Sequence, residues 1–218
     1  MREKIYLTSG HISNKTKALD QKIFCGLNGD PRKILVIDWA KDGFEQRGGN
    51  YSDYRKLLRM YFQDLGMRSL EFASELDNGI QEKLRESNLI YLLGGDLNRL
   101  NKELNKNNIR SNIKSFKGIL IGNGRGAYAL SNGYIKIREV TEIINSENPL
   151  VPFWIKCHYT ENFDSKLKKL SADSTINKIY AIPDGSALVY DPHISNDDYI
   201  EHLNSIYLFL RGEKIELK

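Results

Sequence analysis

The segment Gly118-Ile-Leu-Ile-Gly-Asn-Gly-Arg-Gly-Ala127 decides the fold class of this chain. Its first half is a short apolar run typical of a buried strand, and its second half is a glycine-rich turn that leads into small residues. A strand, a tight turn and a helix in this order have the layout of a nucleophile elbow. The tip residue is Gly124, which tolerates positive φ but has no side chain with which to attack a carbonyl.

Short apolar runs alternate with segments of helical period before this turn. The pattern predicts strands over residues 5–8, 33–39, 69–73, 89–93 and 118–121, and helices over 51–65, 78–85 and 97–113, the last broken near Asn105. Gly66 is the expected stop of the helix over 51–65. Alternating strands and helices of this kind indicate a mostly parallel sheet with helices on both sides.

The pattern changes after Gly133. Residues 134–140 alternate with period two, and residues 179–190 read as two strands joined around the turn signal Pro183-Asp-Gly185. We expect these strands to add to the sheet edge in antiparallel orientation. The predicted fold is therefore a single α/β domain over residues 1–218, a three-layer α/β/α sandwich with a mostly parallel sheet and antiparallel strands near the C-terminus.

Composition narrows the class of protein. The 218 residues are 40% hydrophobic and 28% charged, with a net charge of +4, which is typical of an ordinary globular chain. We expect no membrane span, because no apolar run approaches the required length, and no nucleic-acid partner, because the basic residues form no stripe with aromatics. Two cysteines, Cys25 and Cys157, and a start without signal-peptide features lead us to expect a cytoplasmic protein.

Ligands of open parallel sheets bind beyond the carboxyl ends of the strands. The residues at those ends are the candidates for a site: 9–10, 41–42, 94–96, 122–127 and His158. Two of these sets are glycine-rich turns, which let backbone amides approach a substrate closely. The other histidines, His11, His193 and His202, have no metal-ligand spacing with carboxylates or cysteines, so we expect neither a metal site nor a cofactor.

Four motifs resemble the dipeptidase E/cyanophycinase family of serine hydrolases, relatives of the class-I glutamine amidotransferase-like (flavodoxin-like) fold. That family typically has a strand before Gly-Gly-Asn, then Gly-x-Ser-Ala-Gly-Ala, a downstream histidine, and a late Ile-Pro/Gly-Glu-Gly-Ser-Ala-Leu segment. This chain has, in the same order, Leu92-Leu-Gly-Gly-Asp96, Gly122-Asn-Gly-Arg-Gly-Ala127, His158 and Ile182-Pro-Asp-Gly-Ser-Ala-Leu-Val189. The resemblance covers nearly the whole chain.

The resemblance implies roles for particular residues. The backbone N–H groups of Gly95, beside Gly94, and of Arg125 would form an oxyanion hole, and His158 would be the base. Glu139 stands near the place of the family's acidic triad member, with Glu142 the less fitting choice.

Three departures from the family pattern fall at the same site. Asp96 replaces the usual Asn, Gly124 the nucleophilic Ser, and Arg125 a small residue. Loss of the serine from a triad removes about six orders of magnitude of turnover. Peptidase activity by the family mechanism is therefore expected to be absent or vestigial, while a pocket for a small peptide or amino-acid-like ligand remains.

Alternatives stay open at this point. Hydrolysis through another nucleophile would need Ser131 or Cys157, which we expect to be structural, or a water molecule activated by His158. Arg125 is either a clamp for a carboxylate or phosphate or a member of a surface ion pair. The glycine turn also satisfies the dinucleotide fingerprint Gly-x-Gly-x-x-Gly/Ala, although the helix after it is short for such a unit.

Overall fold

Two β-sheets and the helices around them make up the structure, a computed structural model that describes residues 4–10, 14–25, 33–41, 51–75, 79–137, 141–173, 176–194 and 201–217. The strands in these ranges are β1 Ile5–Thr8, β2 Lys33–Ile37, β3 Ser69–Phe72, β4 Leu89–Leu92, β5 Ile119–Asn123, β6 Ser131–Ile137, β7 Thr141–Asn145, β8 Val151–Cys157, β9 Lys178–Ile182, β10 Ala187–Tyr190, β11 Glu201–Leu203, β12 Ile206–Leu210 and β13 Glu213–Leu217. The α-helices are α1 Asn14–Cys25, α2 Tyr51–Asp64, α3 Ile80–Glu86, α4 Leu97–Leu104, α5 Ile109–Ser115, α6 Arg125–Leu130 and α7 Asp164–Asp173. None of the helices in the described ranges has the length and apolar character that crossing a membrane requires.

The first sheet has seven strands in the order β11-β10-β1-β5-β4-β2-β3. The five strands from β1 to β3 in this order pair in parallel. At the other edge, β10 and β11 join in antiparallel orientation. The predicted mostly parallel sheet with added antiparallel strands is confirmed, and the carboxyl ends of β1, β2, β4 and β5 meet at one edge.

Helices cover both faces of the first sheet. On β2, Ile34 and Val36 pack in a core with α1 and α2, whereas Leu35 and Ile37 lie in the core that α3 to α6 complete. Successive side chains of a strand point to opposite faces, so a strand covered on both sides needs apolar residues throughout. This explains the unbroken apolar run of β2 and confirms the three-layer arrangement.

A second sheet of six strands, in the order β13-β12-β9-β8-β6-β7, was not predicted. Its inner face shares one core with the first sheet, where Ile155 and Ile182 lie in the same cluster as Leu120. Its outer face packs against α7, with Leu167 and Phe209 in a separate core. The second sheet therefore brings the end of β8, and His158 after it, against the first sheet.

The turn at residues 183–185 is confirmed, but the expectation that both flanking strands extend one sheet is wrong. β9 pairs in parallel with β8 in the second sheet, and β10 pairs with β1 in the first. The turn thus carries the chain from one sheet to the other. The apolar pattern showed that both strands are buried, but burial does not specify which neighbours a strand pairs with.

Candidate active site

The elbow connects β5 to α6 at the predicted place. Gly124 has φ +54° and ψ −111°, a conformation that side-chain-bearing residues rarely adopt. Its N–H donates to Thr8 O at 2.9 Å, and its carbonyl accepts from Tyr128 N at 3.1 Å. A Cβ on Gly126 would lie 2.3 Å from Leu92 O, so this glycine lets α6 approach β4 closely.

His158 faces the tip of the elbow. It follows β8 directly and has φ +53°, an uncommon value for a residue with a Cβ. A Cβ built on Gly124 would lie 3.6 Å from His158 Nε2, and no other heavy atom of the described residues comes within 4 Å, chain neighbours and the backbone of α6 aside. The structure therefore brings together two residues that the sequence separates by more than thirty positions.

The partner of His158 is Asp184. His158 Nδ1 lies 2.8 Å from Asp184 Oδ1, in the turn between β9 and β10. When Asp184 is ionised, its carboxylate only accepts, so Nδ1 of a neutral His158 ring donates and Nε2, on the side of position 124, is the nitrogen without a proton. Ser186 N donates to Pro183 O at 3.2 Å and Gly185 has φ +81°, which gives the turn type II geometry with glycine at its third position.

Sequence reasoning did not assign this role to Asp184. Glu139 lies outside the described residues, and its assignment stays a prediction. Glu142 forms an ion pair with Lys136 across the hairpin of β6 and β7, so its carboxylate is engaged there. The signal for Asp184 was present in the late motif, where the family has Glu at the position of this aspartate.

The Gly94–Gly95 turn lies beside the elbow, as predicted. A Cβ on Gly94 would be 3.1 Å from Asn123 O and 3.4 Å from Arg125 N. A Cβ on Gly95 would be only 2.2 Å from Ala40 O, so the turn is packed closely against the residues after β2. Arg125 is the first residue of α6, so its N–H has no acceptor within that helix, and its role in an oxyanion hole stays a prediction.

The side chains of Arg125 and Asp96, at this edge of the sheet, form hydrogen bonds with the backbone of neighbouring residues. Arg125 is exposed and donates from Nη1 to Gly95 O at 2.6 Å, which ties the elbow to the neighbouring turn. Asp96 is the N-cap of α4, where its Oδ1 accepts from Asn98 N at 2.9 Å and Arg99 N at 3.1 Å. The replacement of Asn by Asp thus preserves helix capping, and any contact of Asp96 with a ligand stays a prediction.

Cys157 and Ser131, the two side chains considered as alternative nucleophiles, are both buried. Cys157 is fully buried, with Sγ 3.7 Å from Gly124 O, and burial raises the pKa of its thiol to about 12. Ser131 is buried and its hydroxyl contacts Tyr128 O and Gly133 O. The predicted structural roles of both residues are confirmed.

A buried cation lies on the opposite face of β8. Lys156 is 8% exposed, donates from Nζ to Cys157 O at 2.7 Å, and has Nζ 4.5 Å from the centre of the Phe163 ring. Burial lowers the pKa of this ammonium. These contacts fix the carbonyl of the residue that precedes His158.

Neither a dinucleotide unit nor a metal cluster forms in the described part of the chain. α6 has six residues, and β6 follows it immediately in the second sheet. The crossover to a neighbouring parallel strand that a dinucleotide-binding unit needs is therefore not built here. The described residues also contain no group of three or more histidine, cysteine or acidic side chains placed to hold a metal ion.

The model of peptidase family S51 matches residues 5–196, which include the elbow, His158 and Asp184. The chain belongs to peptidase family S51. The resemblance to the dipeptidase E/cyanophycinase family is thereby confirmed.

Solved structures share the fold of this chain. A peptidase from an acI-B1 Actinobacterium has a TM-score of 0.73 and 18% sequence identity, with coverage of 100% of this chain and 94% of that one. A protein from Listeria monocytogenes EGD-e assigned to peptidase E has a TM-score of 0.62 and 19% identity, with coverage of 93% and 98%. No curated protein sequence matches this chain.

Proposed function

We propose that this S51 family member binds a small peptide or amino-acid-like ligand and does not hydrolyse it by the serine mechanism. One observation carries the proposal: Gly124 occupies the tip of the elbow, and its missing side chain would point at His158 Nε2. In a serine peptidase that point belongs to the nucleophile. Without it, turnover falls by about six orders of magnitude even when the rest of a triad persists.

The groups that would bind a ligand are still present. His158 and Asp184 form a hydrogen-bonded pair, and the Gly94–Gly95 turn lies against the amide of Arg125. A carbonyl oxygen of the ligand would accept from the amides of Gly95 and Arg125. These donors belong to the backbone, so side-chain changes at the same positions do not remove them.

The test of this proposal separates binding from turnover. N-terminal Asp-X dipeptides should raise the thermal unfolding temperature of the purified protein, because a ligand that binds only the folded state stabilises it. Mass spectrometry of the same mixtures should detect no appreciable free aspartate. Appreciable cleavage that His158→Ala abolishes, or no stabilisation by any dipeptide or amino acid, would contradict the proposal.

A second candidate function is slow hydrolysis by a water molecule. The Cβ position at Gly124 is open on the side of His158, since Nε2 at 3.6 Å is the one atom of the described residues within 4 Å of it, the elbow's own neighbours aside. A water there would have Nε2 as its general base. This function predicts slow dipeptide cleavage that both His158→Ala and Gly124→Ala abolish, the second because its methyl group occupies the space of the water.

Arg125→Gln is expected to weaken the binding of dipeptides about 10- to 100-fold, since a hydrogen bond between charged groups contributes about 1.5–3 kcal/mol. Nη1 is held on Gly95 O at 2.6 Å, which directs the exposed guanidinium along the edge of the site, where the carboxylate of a ligand would meet it. Isothermal titration calorimetry measures the change.

The matched control is Arg85→Gln, because Arg85 is exposed near the end of α3 and precedes the amino end of β4, at the other edge of the sheet. If the native protein and Arg125→Gln bind dipeptides with equal affinity, Arg125 contacts Gly95 but does not bind the ligand.

A further inference from the structure

Ser9 is buried at the carboxyl end of β1, next to the His158–Asp184 pair. It has no exposed surface. The hydroxyl donates to Asp184 Oδ1 at 3.0 Å and accepts from the backbone N–H of His158 at 2.7 Å. The Ser9 side chain therefore contacts both His158 and Asp184, although Ser9 follows β1, His158 follows β8 and Asp184 lies between β9 and β10.

The backbone of Ser9 holds the same turn. Its carbonyl accepts from Gly185 N at 2.9 Å, and its N–H donates to Ser186 O at 3.3 Å. The turn that carries Asp184 is thus fixed to the end of β1 at the two residues that follow the aspartate. Ser9 Oγ and His158 Nδ1 meet at the same oxygen, Asp184 Oδ1.

His158 and Asp184 both need contacts that hold their conformations. The side chains of His158 and Asp184 are 44% and 52% exposed, so packing alone does not fix their rotamers. His158 also has a left-handed backbone conformation, which persists only where surrounding contacts enforce it. The hydrogen bond from His158 N to Ser9 Oγ is one such contact.

We propose that Ser9 is a positioning residue that fixes the tautomer and orientation of His158 through Asp184. With Oδ1 held by Ser9, the carboxylate receives Nδ1–H, and Nε2 stays unprotonated toward position 124. A base whose orienting group is lost spends most of its time in the wrong tautomer or rotamer. The inference deepens the proposed function at the same site, but its readout requires neither a ligand nor turnover.

The test is the tautomer of neutral His158, read from ¹⁵N–¹H couplings within the imidazole ring of ¹⁵N-histidine-labelled protein. His158→Gln identifies the His158 signals among those of the four histidines. The native protein should show the Nδ1–H form at a pH at which histidine is neutral. Ser9→Ala should lose this preference and show the mixture of a free imidazole, whereas Ser9→Thr, which keeps the hydroxyl, should retain it.

Ser171→Ala is the matched control. Ser171 is 1% exposed, donates to Lys168 O at 3.1 Å and accepts from Gly212 N at 3.0 Å, so its hydroxyl makes the same kinds of bond as that of Ser9 but on α7. If the loss of any buried hydroxyl changed the tautomer of His158, both Ser9→Ala and Ser171→Ala would show the change. The tautomer of His158 should be unchanged in Ser171→Ala.

An unchanged Nδ1–H tautomer in folded Ser9→Ala would overturn the proposal. If Ser9→Ala does not fold, Ser9→Cys replaces it in the test, because the thiol fills similar space but is a weak donor. Ser9→Cys should then lose the preference of His158 for the Nδ1–H form. In the Gly124→Ser background, Ser9→Ala should also slow fluorophosphonate labelling about 10- to 100-fold, by analogy with the partners that orient metal-ligating histidines. Absence of labelling in Gly124→Ser itself would count against the proposed function and leave the tautomer result standing.

Discussion

Gly124→Ser is expected to convert a protein inert to fluorophosphonates into one that is labelled covalently at residue 124. A Cβ at this point lies 3.6 Å from His158 Nε2, and a serine Oγ one bond further on is within hydrogen-bonding reach of that nitrogen. Nε2 takes the hydroxyl proton as Oγ attacks phosphorus and fluoride leaves. Intact-protein mass spectrometry should show one phosphonyl adduct, with a rate several orders of magnitude above that of the native chain, in line with the roughly 10⁶-fold effect of a triad serine.

Two variants isolate the cause of this reactivity. Gly124→Ala adds the same Cβ at φ +54° and the same backbone strain, but no hydroxyl, and should not be labelled. Gly124→Ser combined with His158→Ala keeps the hydroxyl but removes the base, and should lose most of the rate. If Gly124→Ser is folded and inert, the remaining groups are not arranged for attack, and the assignment of position 124 to the nucleophile is wrong.

Asp20→Asn is expected to remove most of the pH dependence of stability between about pH 4 and pH 7. Asp20 on α1 is 1% exposed and accepts from Tyr61 Oη at 2.6 Å. Burial raises the pKa of this carboxyl to about 7 from 3.8, although the hydrogen bond from Tyr61 acts in the opposite direction. The folded state therefore binds a proton that the unfolded state releases at lower pH.

The sign of the effect follows from this difference. Where the folded state binds more protons, the free energy of unfolding falls as pH rises. The contribution of Asp20 is complete below its unfolded pKa and is lost as pH rises through about 7, a total of about 4 kcal/mol for a shift of about three units. Urea denaturation at a series of pH values measures the slope in the native protein and in Asp20→Asn.

Asp64→Asn is the control for the Asp20 prediction. Asp64 ends α2, its side chain is 62% exposed, and it forms an ion pair with Lys17 at 2.9 Å. An exposed pair of this kind contributes about 0–1 kcal/mol, so the slope should change little. Equal slopes in native protein and Asp20→Asn would show that burial of Asp20 does not set the pH dependence.

Elements with a regular apolar period were predicted well. The helix over 51–65 is observed as Tyr51–Asp64, and Gly66 follows it with φ +81°. The break predicted near Asn105 is observed between α4 and α5. Local patterns suffice here because helix periodicity, breakers and glycine conformations act over a few residues.

Of the strand predicted over residues 134–140, residues 134–137 are observed in β6, which begins earlier, at Ser131, while residues 138–140 lie outside the described residues. α6 ends at Leu130, and β6 begins at the next residue. The first residues of β6 include Asn132 and Gly133, which have low strand propensity, so the sequence favoured a later start. Pairing with β8 in the second sheet holds these residues in the strand.

The sequence by itself determined the family, the parallel α/β layers, the elbow with Gly124 at its tip, and His158 as the residue facing it. These features depend on short motifs and on their order along the chain. Only the tertiary structure showed the second sheet, the buried carboxyl of Asp20, and the contact of Asp184 with His158. The bonds that join Ser9 to His158 and Asp184 span 149 and 175 positions, and hydrogen bonds across such separations depend on how strands pair, which no local pattern specifies.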